Sequence, residues 1–349
     1  MRPIPRCLAA AASICLALLL DACSTLPADA PAGAPTPPAR ALQQTPDRAL
    51  EERILALDPE RIADRDVRET LARGPTPHIM LLHGGVYPVH LLMESFSEFL
   101  TGMGYPLDRI RDPGDGALSR SPYESSARQA GTLPWYYERD GARPMLVGHS
   151  QGGIQAVKIL HELDGTFGPD LNVFDPVAGK FDSRSTYVDP LTGHKRPLRE
   201  FSVSYVSVIG TGGWSLALPF HWNVFPHVRS IPVNVEEFVG YRIELDFFAM
   251  DVPGLEGLKT FYSDGNGLVR NVTLPAGISH VFVPGTASLA QNPAMRAWIN
   301  DYSPKTAATQ PPPPDPDAEN VIWAADNWYN IKRHWALEAQ RFVRARRGA

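Results

Sequence analysis

The chain is poor in cysteine. Its three, Cys7, Cys15 and Cys23, all lie near the amino terminus, so a chain cut at Cys23 contains no pair for a disulfide and is not a disulfide-stapled scaffold. It also lacks a strong charge bias: a net charge of −5 leaves no overall footprint for nucleic acid. It has no internal repeat at solenoid periods. Proline, in contrast, is abundant, and its 34 residues gather partly in Pro27 to Pro46 and Ser303 to Asp317. Both segments read as extended, solvated tethers. The 349 residues, 44% of them hydrophobic, suffice for one domain with a large insertion or for two domains.

The first residues read as an export signal. Arg2 and Arg6 supply the positive region, and Cys7 to Leu20 form an apolar run too short and poorly flanked for an ordinary membrane span. Its end, Leu20-Asp21-Ala22-Cys23, resembles the bacterial lipoprotein cleavage box, although Asp21 stands where that box normally has a small or aliphatic residue. The resemblance implies lipidation of Cys23 and attachment to a membrane, and Ser24 after it implies the outer membrane. The alternative is ordinary cleavage after Ala28-Asp29-Ala30, which would give a secreted or periplasmic protein. Residues 1–22 are then a signal peptide and 23–74 a tether with an amino-terminal extension.

From Thr76 onward short apolar runs alternate with helical patterns, which predicts an α/β fold with a mainly parallel sheet and flanking helices. Strands are expected at Ile79 to Leu82, Leu107 to Ile110, Pro144 to Val147, Leu171 to Phe174, Val203 to Ile209, Tyr241 to Leu245 and Leu268 to Leu274. Helices are expected at Leu91 to Leu100, Ser125 to Arg139 with a bend at Pro134, Ile154 to Leu163, around Gly254 to Ser263, and about Met295 to Ile299. The stretch 177–262 is long for a connection and rich in aromatics: Trp214, Phe220, Trp222, Phe225, Phe238, Phe247 and Phe248. It reads as a cap whose rings either line an apolar pocket or form the cap's own core.

Gly148-His149-Ser150-Gln151-Gly152 sits between an apolar strand and an amphipathic helix. Small residues around the serine allow a tight turn that lifts its hydroxyl above the sheet, and the helix directs its positive end at the site. Here the chain resembles the α/β-hydrolase superfamily, in its lipase and esterase branches, over about residues 75–302. The resemblance implies Ser150 as nucleophile and an oxyanion hole from the backbone N–H groups of Gly85, in His83-Gly84-Gly85, and Gln151. A base is expected after the last strand, which selects His280 beyond Leu268 to Leu274. His83 and His149 read as structural.

The orienting acid leaves alternatives. Asp246 follows an expected strand and leaves room for a helix and a strand before His280; Asp251 is second, and Asp175 follows an earlier strand. Asp264, in Asp-Gly-Asn-Gly, precedes the last strand, and seven strand residues span roughly 23 Å, which would leave it at the wrong edge.

After the linker at 303–319, residues 320–349 read as a basic amphipathic helix with Trp328 and Trp335 near one face, docked on the body or lying on a membrane or partner surface. The expected activity is cleavage of an apolar or acyl ester through an acyl-serine, with no metal, other cofactor or nucleic acid required. Alternatives are an acyltransferase or serine peptidase on the same fold, or a non-catalytic envelope lipoprotein that binds a partner. For the amino terminus, Cys23→Ser should remove the lipid mass from the amino-terminal peptide in mass spectrometry. An unlipidated wild-type peptide beginning after Ala30 would establish ordinary cleavage instead.

Overall fold

In the strand Ile79–Leu82 (β1), Ile79 and Leu81 face one core cluster, and Met80 and Leu82 face another. A strand apolar on both sides belongs inside a sheet covered on both faces. The structure, a computed structural model, describes residues 47–168, 170–251, 254, 259–305, 311–314 and 319–348. Its central sheet adds Met145–His149 (β2), Val203–Ile209 (β3), Val235–Ile243 (β4) and Leu268–Leu274 (β5). They lie in the order β1-β2-β3-β4-β5, all parallel, with Leu82 opposite Gly148, His149 opposite Ile209, and Ile243 opposite Leu274.

One face is covered by Arg48–Ala56 (α1), Asp64–Glu69 (α2), Tyr87–Gly102 (α3), Ala287–Gln291, Pro293–Asp301 and the long Val321–Gly348. The other is covered by Ser126–Asp140 (α4) and Gln151–Asp164 (α5). Pro134 lies inside α4 without dividing it. Completing the numbering, Ala287–Gln291 is α6, Pro293–Asp301 is α7 and Val321–Gly348 is α8.

Several expectations change. Leu107–Arg109 is a 3-10 turn rather than a strand; its two apolar residues, Leu107 and Ile110, are three apart, a helical spacing. At Leu171 to Phe174 only Phe174–Asp175 pairs, antiparallel with Lys180–Phe181 outside the central sheet, because Pro176 ends the run. The stretch 177–262 is no single cap, since it contains two strands of the central sheet, β3 and β4. Trp214, Phe220, Trp222, Phe225, Phe247 and Phe248 are exposed and only Phe238 of the seven is buried, so they form neither an enclosed pocket nor a cap core. Of the helix expected at Gly254 to Ser263, residues 255–258 lie outside the described residues, and Tyr262–Ser263 is a strand paired with Ser230–Ile231. The tether Pro27 to Pro46 and Cys23 also lie outside the described residues.

Nor are the first and last described helices appendages. Leu50 and Ile54 of α1 and Trp323, Trp328 and Trp335 of α8 share one core with strands β1 to β5. The three tryptophans are fully buried, which rules out α8 as a membrane-lying helix. A helix buried on almost every side must satisfy its polar groups internally. Asp326 accepts from Tyr241 Oη and from Arg270 at 2.9 Å, while Glu338 pairs with Arg143 at 2.6 Å. Glu237 meets His334 at 3.0 Å and Arg333 at 2.6 Å.

Lys332 is buried too. Its Nζ donates to the carbonyls of Ile62 and Asn300, both at 2.8 Å, and burial pushes its pKa down to about 8. The unfolded chain therefore binds more protons than the folded one between pH 8 and the ordinary lysine value of 10.5. The contribution of Lys332 to stability must rise with pH across that window. Denaturant midpoints measured from pH 7.5 to 10.5 should show this rise relative to Lys332→Met, in which that component of the slope is absent.

Candidate active site

Ser150 occupies the junction of β2 and α5 with φ 56° and ψ −118°, a conformation that side chains rarely tolerate. Its backbone N–H donates to the Ile209 carbonyl at 2.8 Å, tying the turn to β3. The turn closes because its neighbours lack side chains: a Cβ on Gly152 would collide with the Leu82 carbonyl. The first N–H groups of α5, Gln151 among them, have no acceptor within the helix and face the serine end.

His280 follows β5. Its Nε2 lies 3.0 Å from Ser150 Oγ, and its Nδ1 lies 2.6 Å from Asp246 Oδ2. Asp246 is held in turn: Oδ1 accepts from Ala249 N–H at 3.1 Å, and its carbonyl accepts from Asp251 N–H at 2.7 Å. Leu245 (φ 60°) and Met250 (φ 56°) bend the chain around it, each at a cost of about 1–2 kcal/mol for a left-handed residue with a side chain. The structure thus brings together Ser150, His280 and the first-choice acid.

It separates the other acids. Asp251 pairs with Arg242 at 3.3 Å. Asp264 accepts from Ser230 Oγ ahead of β5, at the sheet edge remote from His280. Asp175 accepts from Val177 and Ala178 N–H at 2.9 and 3.0 Å, as a turn residue.

Gly84 and Gly85 run beside the serine. A Cβ on Gly84 would lie 3.3 Å from Ser150 Cβ, and one on Gly85 would collide with the Gln151 side-chain amide. Two side chains fix the peptide planes there. His83 Nδ1 donates to Gly84 O at 2.7 Å, which orients the Gly84–Gly85 peptide and therefore Gly85 N–H. Tyr123 Oη donates to Gly85 O at 2.7 Å. Burial pushes His83 down to about 4, so it is a neutral donor near pH 7.

His149 is fully buried, and desolvation, aided by nearby His280, lowers its pKa to about 3. Its Nε2 donates to the His280 carbonyl at 2.6 Å, linking the strand that leads to Ser150 to the backbone of His280. Comparison with known protein families, curated proteins and solved structures finds no match for this chain.

Tyr123 and Gly210 were not legible as site residues. Tyr123 lies in an irregular segment with no motif of its own. Gly210, in the Gly-Thr-Gly-Gly turn after β3, has φ 61°, and a Cβ there would lie 2.7 Å from His280 Cε1. A glycine cluster at the carboxyl end of a strand was the available signal, though it reads equally as an ordinary turn. Gly210→Ala should destabilise the fold by about 1–3 kcal/mol through backbone strain and ring contact. Chemical denaturation measures the loss, and an unchanged midpoint would show that the ring yields freely.

Proposed function

We propose that this chain is an exported serine hydrolase of the α/β-hydrolase type that cleaves carboxylic esters through an acyl-serine. The observation that carries the reading is the continuous hydrogen-bond line Asp246–His280–Ser150, with His280 joined to both partners through different ring nitrogens. This is the geometry a serine needs to lose its proton as it attacks. Gly85 and Gln151 lie side by side at the same sheet edge.

In the proposed reaction Ser150 Oγ attacks the acyl carbon and His280 Nε2 takes the hydroxyl proton. Negative charge develops on the former carbonyl oxygen, where the Gly85 and Gln151 N–H groups donate to it. Asp246 keeps Nδ1 protonated and stabilises the imidazolium. On collapse, His280 gives its proton to the departing alkoxide, leaving an acyl-serine and a free alcohol. Water then attacks the acyl carbon, His280 takes one of its protons and returns it to Ser150 Oγ, and the carboxylic acid leaves. Attachment to the outer membrane through lipidated Cys23 forms part of the same proposal.

A fluorophosphonate probe should label the wild-type protein and leave Ser150→Ala unlabelled. On a soluble aryl ester, Asp246→Asn should lower kcat by roughly 10⁴-fold with the fold intact, because the base loses its tautomer and orientation. Near-wild-type turnover of Asp246→Asn would reject the triad. Ester consumption that requires an added alcohol or amine acceptor and is absent in water alone would replace hydrolysis with acyl transfer.

A further inference from the structure

Phe248 lies in the turn that carries Asp246, and its ring stacks on His280 with centroids 5.3 Å apart and planes 26° from parallel. The turn holds it there from both sides. Ala249 N–H donates to Asp246 Oδ1 at 3.1 Å, and the Phe248 carbonyl rests against Gly213, where a Cβ would collide with it. Asp251 N–H closes the turn on the Asp246 carbonyl at 2.7 Å. Yet Phe248 is 57% exposed. A phenyl side chain fixed in place but left uncovered forgoes much of the free energy that burial gives such rings elsewhere in a fold. Its open surface stands directly beside His280.

We infer that Phe248 forms the subsite for the alcohol half of the ester and selects a flat aromatic alcohol, of the benzyl or phenyl class. Given the acyl-serine reading, on which this subsite rests, the path of the proton fixes its place. His280 Nε2 gives a proton to the departing alkoxide, so the alcohol oxygen must come within about 3 Å of it, and the next carbons of the alcohol lie beside the same imidazole. The acyl half is held elsewhere: its carbon is bonded to Ser150 Oγ and its oxygen faces the Gly85 and Gln151 N–H groups. An alcohol ring beside His280 reaches the separation of roughly 4.5–7 Å from Phe248 at which aromatic rings attract. Offset or edge contact of two such rings adds roughly 2- to 10-fold to what their buried area provides, and an aliphatic ring of equal size lacks that part.

The chemistry also says which step feels Phe248. The alcohol is present only until the first tetrahedral intermediate collapses: its bond to the acyl carbon breaks, His280 supplies the proton, and the alcohol diffuses away. Water then takes the vacated position beside His280 Nε2, and the acyl-serine it attacks is the same whichever alcohol was attached. Selectivity for the alcohol therefore belongs to kcat/KM, which covers the steps through alcohol release, and is absent from kcat where breakdown of the acyl-serine limits turnover. Phe248 is a specificity residue in this scheme, since no proton or bond passes through it.

Benzyl acetate and cyclohexylmethyl acetate test this, because their alcohols are close in size and basicity and differ in flatness and π-charge. The wild-type chain is expected to favour the benzyl ester in kcat/KM by roughly 5- to 10-fold. Phe248→Leu should bring the ratio close to one, and Phe248→Trp should keep it, which separates loss of the aromatic face from loss of the fold; near-UV circular dichroism checks each variant. A second measurement needs no variant. With nitrophenyl acetate as donor, benzyl alcohol should capture the acetyl group several-fold more efficiently than cyclohexylmethanol, because capture is alcohol release run backwards. A benzyl preference that survives in Phe248→Leu would overturn the inference, as would equal kcat/KM values or equal capture in the wild type. Failure of the acyl-serine reading looks different: neither ester is turned over and the fluorophosphonate probe gives no Ser150-dependent labelling, which removes the subsite together with the reaction.

Discussion

Because the five strands run in one direction, whatever follows a strand emerges at the same edge, and that constraint assembles the site. Gly84 and Gly85 follow β1, Ser150 follows β2, Gly210 follows β3, Asp246 follows β4 and His280 follows β5. The pairs Leu82–Gly148, His149–Ile209 and Ile243–Leu274 set the relative heights of those endings. The loops then need only short excursions to bring the groups within hydrogen-bond distance. A parallel sheet must also be covered on both faces, which makes the distant carboxyl-terminal helix a structural requirement of the site. Its Asp326 accepts from Tyr241 of β4 and Arg270 of β5, the strands that lead to Asp246 and His280.

Burial divides the histidines by task. His83 and His149 are desolvated and neutral, and each donates one N–H to a backbone carbonyl. Each thereby fixes a peptide: His83 the one that presents Gly85 N–H, His149 the one that follows His280. His280 differs in having a carboxylate at one nitrogen and a hydroxyl at the other. The contrast follows from neighbours, since all three residues are the same chemical group in similarly restricted surroundings. The aromatic residues divide in a comparable way: those of α8 fill the core, while Trp214, Trp222, Phe247 and Phe282 are exposed to solvent.

Much of this was legible in order but not in extent. Val203–Ile209 and Leu268–Leu274 have the ends read from their apolar and β-branched runs, because turn residues on either side, Gly210 after the first and Gly265-Asn266-Gly267 and Pro275 around the second, give them sharp compositional edges. Leu107 to Ile110 failed since four residues carry too few repeats to separate a period of two from one of three. The long aromatic stretch was misread as one cap because strand β4, with Glu236, Glu237 and Gly240 in its run, lacks a clean apolar signature. Glu237 is buried there only because α8 supplies His334 and Arg333 to meet it, and no window of sequence around residue 237 contains those partners.

The sequence by itself determined the turn that raises Ser150, the glycines beside it and the strand that leads to His280. These depend on small residues at adjacent positions and on short-range periodicity, both of which are local. Only the tertiary structure decided among Asp246, Asp251, Asp264 and Asp175. That choice depends on which carboxylate the register of β4 against β5 delivers to His280 Nδ1 and which are already engaged by Arg242, Ser230 or a turn. It also decided that Tyr123 would hold the Gly85 carbonyl and that three tryptophans would lie inside while two remained outside. Such partnerships join residues far apart in the chain, and their energies arise only once the sheet and its two helical layers have closed around them.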